Sequence, residues 1–294
     1  MDVRSMILGI VAAAALAAPA QAATDWAAVG QALGKTGAAQ ANGVYRVGLP
    51  RSDLKVTLDG VAVDPALALG SWVAFQEMEN GQAMVMGDLV LTHGEINPVI
   101  DVLEANGIEI TALHNHLLRS TPATMYMHID GHGDPVKLAT ALHAALAKTG
   151  TPLGPAAAAT PAPLDLDVAM LDRTLGVKGK ANGGVYGFSI PRAEPPRSGG
   201  MALSPPMGAA IGINFQPTGG GKAAATGDFV LTADEVNLVI RELRSAGIEV
   251  TGLHNHMLDD EPRLFFMHFW ANEDAAREAK GLRAALDHVK IAGR

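Results

Sequence analysis

The chain has no cysteine among its 294 residues. That excludes a disulfide framework, a cysteine nucleophile and an acylated cysteine as lipid anchor. It has no block of lysine or arginine either, and its formal net charge is −8. Both facts argue against a nucleic-acid partner and against docking on an anionic membrane surface. No glycine-rich phosphate loop and no Gly-x-Ser-x-Gly elbow occurs. The apolar run Ile7 to Ala18 is too short to span a bilayer. Arg4 precedes it and Ala20-Gln21-Ala22 follows as a small-x-small cleavage site, so residues 1–22 read as a secretory signal peptide. The expected location is periplasmic or secreted, with no membrane anchor once the signal is removed.

What the chain does have is one histidine pattern, twice. Thr111-Ala112-Leu113-His114-Asn115-His116 returns as Thr251-Gly252-Leu253-His254-Asn255-His256. A third histidine follows each at equal distance, His128 and His268, so every member of the second set lies 140 positions after its partner. The same offset relates Gly87-Asp88 to Gly227-Asp228, Glu95 to Glu235 and Gly107-Ile108-Glu109 to Gly247-Ile248-Glu249. Earlier it slips by one, matching Pro50-Arg51 to Pro191-Arg192. A period this long means duplication of a whole domain, not a solenoid repeat. The segment from Thr149 to Pro163 is rich in Pro, Ala, Thr and Gly, a linker composition. The expected division is a first repeat domain over 23–149, a linker over 150–165 and a second repeat domain over 166–294.

Within each copy the pattern predicts strand, helix, strand, strand, helix, preceded by further antiparallel strands. Ser71 to Phe75 and Ala83 to Leu91 read as strands. Thr92-His93-Gly94-Glu95 and Thr232-Ala233-Asp234-Glu235 read as capping boxes opening helices that stop at Gly107 and Gly247. A strand is expected from Ile108 to about Leu118, a turn at Ser120-Thr121-Pro122, a strand from about Thr124 to Asp130, and a last helix opened by Asp134-Pro135. The fold class is therefore α+β: a tandem duplicated domain, each copy an antiparallel sheet with helices packed on it, partly ferredoxin-like.

Side chains alternate faces along a strand, so His114 and His116 should share one. With the turn near Thr121, His114 is expected opposite His128, and three imidazoles converge. The same holds for His254, His256 and His268. Ala112 and Gly252, the small residues before each pair, would leave room for a ligand. Neutral imidazoles on neighbouring strands suit zinc or copper as cofactor. The plain alternative is hydrogen-bonded histidines on a half-exposed sheet face. Against it, the remaining histidines, His93, His132, His143 and His288, face Ala233, Asn272, Arg283 and Lys148 across the repeat, so histidine is not retained everywhere. Asp130 shares the face of His128 and is expected to orient a ligand imidazole; Trp270 stands in its place in the second copy. Glu95 and Glu235 could be general bases, but capping explains them. Asp88 and Asp228 read as turn residues after glycine. Met84-Val85-Met86 and Met125-Tyr126-Met127 read as core strands.

The doubled Leu-His-Asn-His pattern, with Gly-Asp-(Leu/Phe)-Val-Leu-Thr ahead of it and Gly-Ile-Glu-(Ile/Val)-Thr opening the strand, resembles the LppY/LpqO family of exported bacterial proteins of uncharacterised function. The resemblance implies export. Some of that family are lipoproteins, an anchoring this cysteine-free chain does not share. The sequence thus points to an exported protein that binds zinc or copper through the duplicated sites, for metal buffering or delivery. Two alternatives stand beside it: a metal-dependent hydrolase or lyase using water on a three-histidine ion, and a non-metal module for a small polar envelope ligand. The expected partner is a metal ion or a small molecule.

Overall fold

The computed structural model describes residues 24–154 and 164–293. The expected signal segment 1–22 lies outside the described residues, as do residues 155–163 of the expected linker.

The first repeat opens with helix α1 (Trp26–Leu33), capped by the Asp25 carboxylate on the amides of Ala27 and Ala28. Strands β1 (Val44–Pro50), β2 (Gly70–Glu77) and β3 (Ala83–Thr92) follow, then α2 (Ile96–Glu104), β4 (Glu109–His114), β5 (Thr124–Gly133) and α3 (Pro135–Leu146). The second repeat runs α4 (Val168–Leu175), β6 (Val185–Pro191), β7 (Ala210–Gly219), β8 (Lys222–Leu231), α5 (Ala233–Ser245), β9 (Glu249–His254), β10 (Phe265–Asp274) and α6 (Ala275–Leu286).

Each repeat is an antiparallel sheet with helices on one face, as the α+β reading expected. In the first the order is β1-β2-β3-β5-β4, with the short strand Ala38–Ala39 beyond β1. In the second it is β9-β10-β8-β7-β6, with Lys180–Asn182 beyond β6. β3, α2, β4, β5 and α3 make the ferredoxin-like part, with β5 inserted between β3 and β4. The strand on the other side of β3 is β2, which precedes it in the chain.

The alternation of each strand sorts side chains between two apolar layers. Val47, Val73, Val85, Leu89, Met127 and Ile129 point to the helices of the first repeat and pack with Val99, Leu103, Leu138 and Leu142. The opposite face is not solvated. It meets the corresponding face of the second sheet, so Val44, Ala74, Met84 and Met86 join a cluster with residues of the second repeat. Val90, Leu117 and Tyr126 likewise pack with Val185, Ala224 and Trp270. The molecule is layered helix, sheet, sheet, helix. This explains why Ala83 to Leu91 is buried at every position: a strand covered on both faces needs an apolar run, not a polar/apolar alternation.

Polar contacts clasp the two halves at the rim. Arg119 pairs with Asp59 at 3.0 Å and with Glu249 of the second repeat at 2.8 Å. The Trp270 indole N–H donates to Asp59 at 3.1 Å. Gln216 donates to the Ala62 carbonyl and accepts from the Asp64 amide. Among the described residues no helix is long and apolar enough to cross a membrane.

Candidate metal centre

Four of the six repeated histidines need only the sheet to place them. The ladder puts His128 between Asp88 on β3 and Ala112 on β4, and His268 between Asp228 on β8 and Gly252 on β9. His114 lies opposite Tyr126, and His254 opposite Phe266. The sequence-based register, His114 opposite His128, is therefore two residues out. The offset is set at the connecting loop, and an even shift keeps the histidines on their face; a bulge between Ile110 and Ala112, repeated between Val250 and Gly252, moves the pairing by one residue only beyond them. β4 also ends at His114, so His116 is beyond the strand expected to carry it. Its carbonyl accepts from the Thr251 hydroxyl of the other repeat at 2.6 Å, a bond across the interface instead of along a ladder.

Because the sheets meet face to face, the two triads form one cluster. His114 stacks on His254 with ring centroids 3.3 Å apart, His116 on His268 at 3.6 Å, and His128 lies 3.6 Å from His256. Tyr126 covers His116 at 3.5 Å, and Phe266 covers His256 at 3.3 Å. Two four-histidine groups, His114/His116/His128/His254 and His114/His254/His256/His268, each bring their ligand nitrogens within 4.8 Å of one another. The sequence left open whether the two histidine sets lie together or apart; the structure brings them into one cluster. The small residue on β9 also has a different purpose. A Cβ on Gly252 would sit 2.8 Å from the Asn115 carbonyl oxygen, so its smallness lets the repeats approach and is not a space for a ligand.

The hydrogen bonds decide which nitrogen faces inward. The Nδ1 atoms of His114, His254 and His268 face the carbonyls of Asn115, Asn255 and Gly227 at 3.5, 3.1 and 3.1 Å. The Gly87 carbonyl does the same for His128. An Nδ1–H donated to a carbonyl leaves Nε2 with a bare lone pair. The Nε2 atoms of His114, His116, His128 and His256 are buried and have no hydrogen-bond partner among the described residues. Those of His254 and His268 face each other at 2.8 Å. Burial, then the other imidazoles, push every ring away from protonation: His114 down to about 3, His254, by burial alone, down to about 4, and the other four well below the usual histidine range.

Asp88 and Asp228 are strand residues facing the cluster, not the turn residues expected. Asp88 Oδ2 lies 3.9 Å from His116 Nε2. Burial first, and Asp228 next to it, push the Asp88 carboxyl up to about 8; burial pushes Asp228 up to about 7. Beyond them a cavity of about 540 Å³ reaches the cluster. It is not symmetric. Arg46 and Trp72 wall one side, the guanidinium 3.8 Å over the indole and bonded to the Pro206 carbonyl. Their counterparts across the repeat, Gly187 and Gly212, carry no side chain, and Asn214 and Asp228 reach into the space that a Cβ would take there. Sequence reading missed this wall; the signal available was the pairing of two bulky residues with two glycines inside otherwise matched strands.

The carboxylates proposed around the histidines are placed elsewhere. Asp130 meets His132 Nδ1 at 3.4 Å, and backbone carbonyls orient the ligand rings in its stead. Glu95 accepts from the Thr92 amide at 2.7 Å and takes both arms of Arg51 at 2.8 and 3.0 Å; Glu235 does the same with Thr232 and Arg192. The full capping box is present at Thr232. Both glutamates are structural and neither reaches the cluster. Met84, Met86 and Met127 are core residues, as read.

No curated protein matches. Among solved structures, a trimeric bacterial microcompartment shell protein, PduB, is similar at 14% identity over 85% of this chain and 90% of that one, with a TM-score of 0.20. EtuB from Clostridium kluyveri follows at 10% identity over 86% and 89%, with a TM-score of 0.21. A double-ringed trimeric shell protein from the RMM microcompartment has 14% identity over 71% and 80%, with a TM-score of 0.20. TM-scores this low carry no argument that this chain builds a shell. The neighbours are shell proteins, a class that none of the expectations drawn from the sequence named. The exported metal buffer or carrier, the hydrolase or lyase, the envelope-ligand module, the metal ion or small molecule as partner, and the periplasmic or secreted location are carried no further. The resemblance to LppY/LpqO is corrected as well, because both repeats match a different description. Residues 27–148 and 169–288 each match it, and the chain belongs to the family described as Domain of Unknown Function (DUF1259).

Proposed function

We propose that the two repeats jointly hold a zinc or copper centre on His114, His116, His128, His254, His256 and His268. One observation carries this: the buried Nε2 atoms of His114, His116, His128 and His256 converge with no hydrogen-bond partner among the described residues. In a dry interior such an arrangement is repulsive, and each unpaired acceptor costs about 1–3 kcal/mol. A cation among them turns the same lone pairs into ligands. Borderline ions that accept several imidazoles are the chemical match. The aromatic lids Tyr126 and Phe266 and the depressed basicity of the rings keep the ligands neutral and available. Because ligands come from both repeats, the ion also ties them together, so metal binding contributes to folding. The centre is proposed as a cofactor site alone, without the carrier, hydrolase or lyase roles corrected above.

The test is metal content by mass spectrometry on protein purified without a metal-binding tag, wild type against His114→Ala/His254→Ala. Zinc or copper bound stoichiometrically by the wild type and lost in the variant is the expected result. A wild type that holds neither metal, and takes up neither from micromolar solution, overturns the reading.

A further inference from the structure

Asp88 and Asp228 occupy matched positions, and the six-histidine reading gives them nothing to do. Each lies directly across the ladder from a cluster histidine, His128 or His268, and so shares its face. Asp88 is 8% exposed, and its Oδ1 atom is buried with no hydrogen-bond partner among the described residues. Its other oxygen is 3.9 Å from His116 Nε2. Two donors on one zinc-like ion at roughly 2.0–2.1 Å stand about 3.3 Å apart in a tetrahedron. A small side-chain adjustment brings Asp88 and His116 onto the same ion. Asp228 accepts a long bond from the Gly212 amide at 3.3 Å and one from its own amide, and it lines the same cavity.

Counting donors and charge leads to the same composition. The two four-histidine groups share His114 and His254. An imidazole nitrogen has a single lone pair, so six histidines cannot fill two four-coordinate ions. Two carboxylates supply the missing pair. They also halve the charge that two divalent ions would otherwise bring into a site of neutral ligands, where uncompensated buried charge is costly. We infer that the centre is dinuclear, with Asp88 and Asp228 as its carboxylate ligands and three imidazoles completing each ion. This rests on the metal reading above.

Cobalt(II), as a spectroscopic stand-in for zinc, would be titrated into the metal-free full chain. Wild type, Asp88→Asn, Asp228→Asn and the double variant are compared by visible absorption and by metal content after desalting, and each metal-free protein is melted. Two equivalents are expected in the wild type. In each single variant one equivalent should weaken by more than the roughly 10–100-fold that loss of an outer-shell partner costs. The metal-free double variant should melt no lower than the wild type, because asparagine keeps the shape of each side chain and an oxygen for the Gly212 amide, and Asp88 Oδ1 has no hydrogen bond among the described residues to lose. One equivalent in the wild type, two with unchanged affinity in the asparagine variants, or metal loss matched by a lower metal-free melting point each overturn the assignment while leaving the histidine centre standing. A wild type that binds no cobalt, zinc or copper overturns both.

Discussion

His114 and His254 lie 140 positions apart in sequence and stack with ring centroids 3.3 Å apart, 21° between their planes. Each belongs to both four-histidine groups. The contact exists because two sheets, one from each repeat, pack face to face with their histidine rows aligned. The centre is thus a property of the pair of repeats, and its behaviour and the stability of the interface should be coupled.

Removal of metal should therefore destabilise the whole chain and not one repeat. With free zinc at 100 times its dissociation constant, stabilisation is expected to be about 2.7 kcal/mol. Calorimetry of metal-loaded and chelator-treated protein checks this. Equal melting temperatures would contradict it.

Gly252→Ala should be costly while its counterpart already carries alanine at Ala112. The added methyl would press on the Asn115 carbonyl oxygen at 2.8 Å, a backbone atom that cannot step aside. A loss of about 1–3 kcal/mol in urea unfolding is expected, with weaker metal binding, because the same crossing holds His116 through Thr251.

The Arg51–Glu95 pair should govern stability and not the centre. Arg51 is 1% exposed, bonded to Glu95, Asp53 and the Val90 carbonyl. Removing one partner of a buried pair costs about 3–5 kcal/mol. Arg51→Ala should lose that much in denaturant titration. Glu95→Gln should keep its full metal stoichiometry; a loss of metal there would return Glu95 to the site.

Glu278 on α6 should give stability a pH dependence. It is 2% exposed, one oxygen takes the Glu273 amide at 2.6 Å and the other has no partner among the described residues. Burial raises its carboxyl from 4.5 to about 8. A group whose folded value is raised stabilises the fold fully below its unfolded value and loses that contribution as pH rises through the folded one. Between about pH 4.5 and 8 the wild type should lose stability relative to Glu278→Gln. Unfolding midpoints at a series of pH values read this directly, and parallel curves for the two proteins would refute it.

Much of the fold was legible in the chain. The capping signals at Thr232 and Asp134 mark helix starts in the structure, whereas the helix expected to open at Thr92 begins at Ile96, with Glu95 itself at the cap position. The doubling was readable as an offset, and Pro50-Arg51 and Pro191-Arg192 already marked the two buried arginines. The register of β4 on β5 was not legible, because the connecting loop sets it and its centre lies one residue earlier than Ser120-Thr121-Pro122 suggests. The place of Asp88 and Asp228 was hidden for a related reason. Glycine before aspartate is a common turn signal, and only burial of β3 and β8 on both faces makes it an internal strand pair.

By itself, the sequence determined two copies of one α+β domain, the strands and helices of each, and six histidines on matched faces. Those follow from local periodicity and from comparing the chain with itself. Tertiary structure alone decided that the faces meet. Whether two repeats join through their sheets or their helices depends on which apolar surfaces are left uncovered after each has folded, a sum over Val44, Ala74, Met84, Tyr126, Ala224 and Trp270 together. That choice merges two sets of three histidines into one cluster, brings the carboxylates of Asp88 and Asp228 to its edge, and leaves a cavity walled by Arg46 and Trp72 on the side of the first repeat.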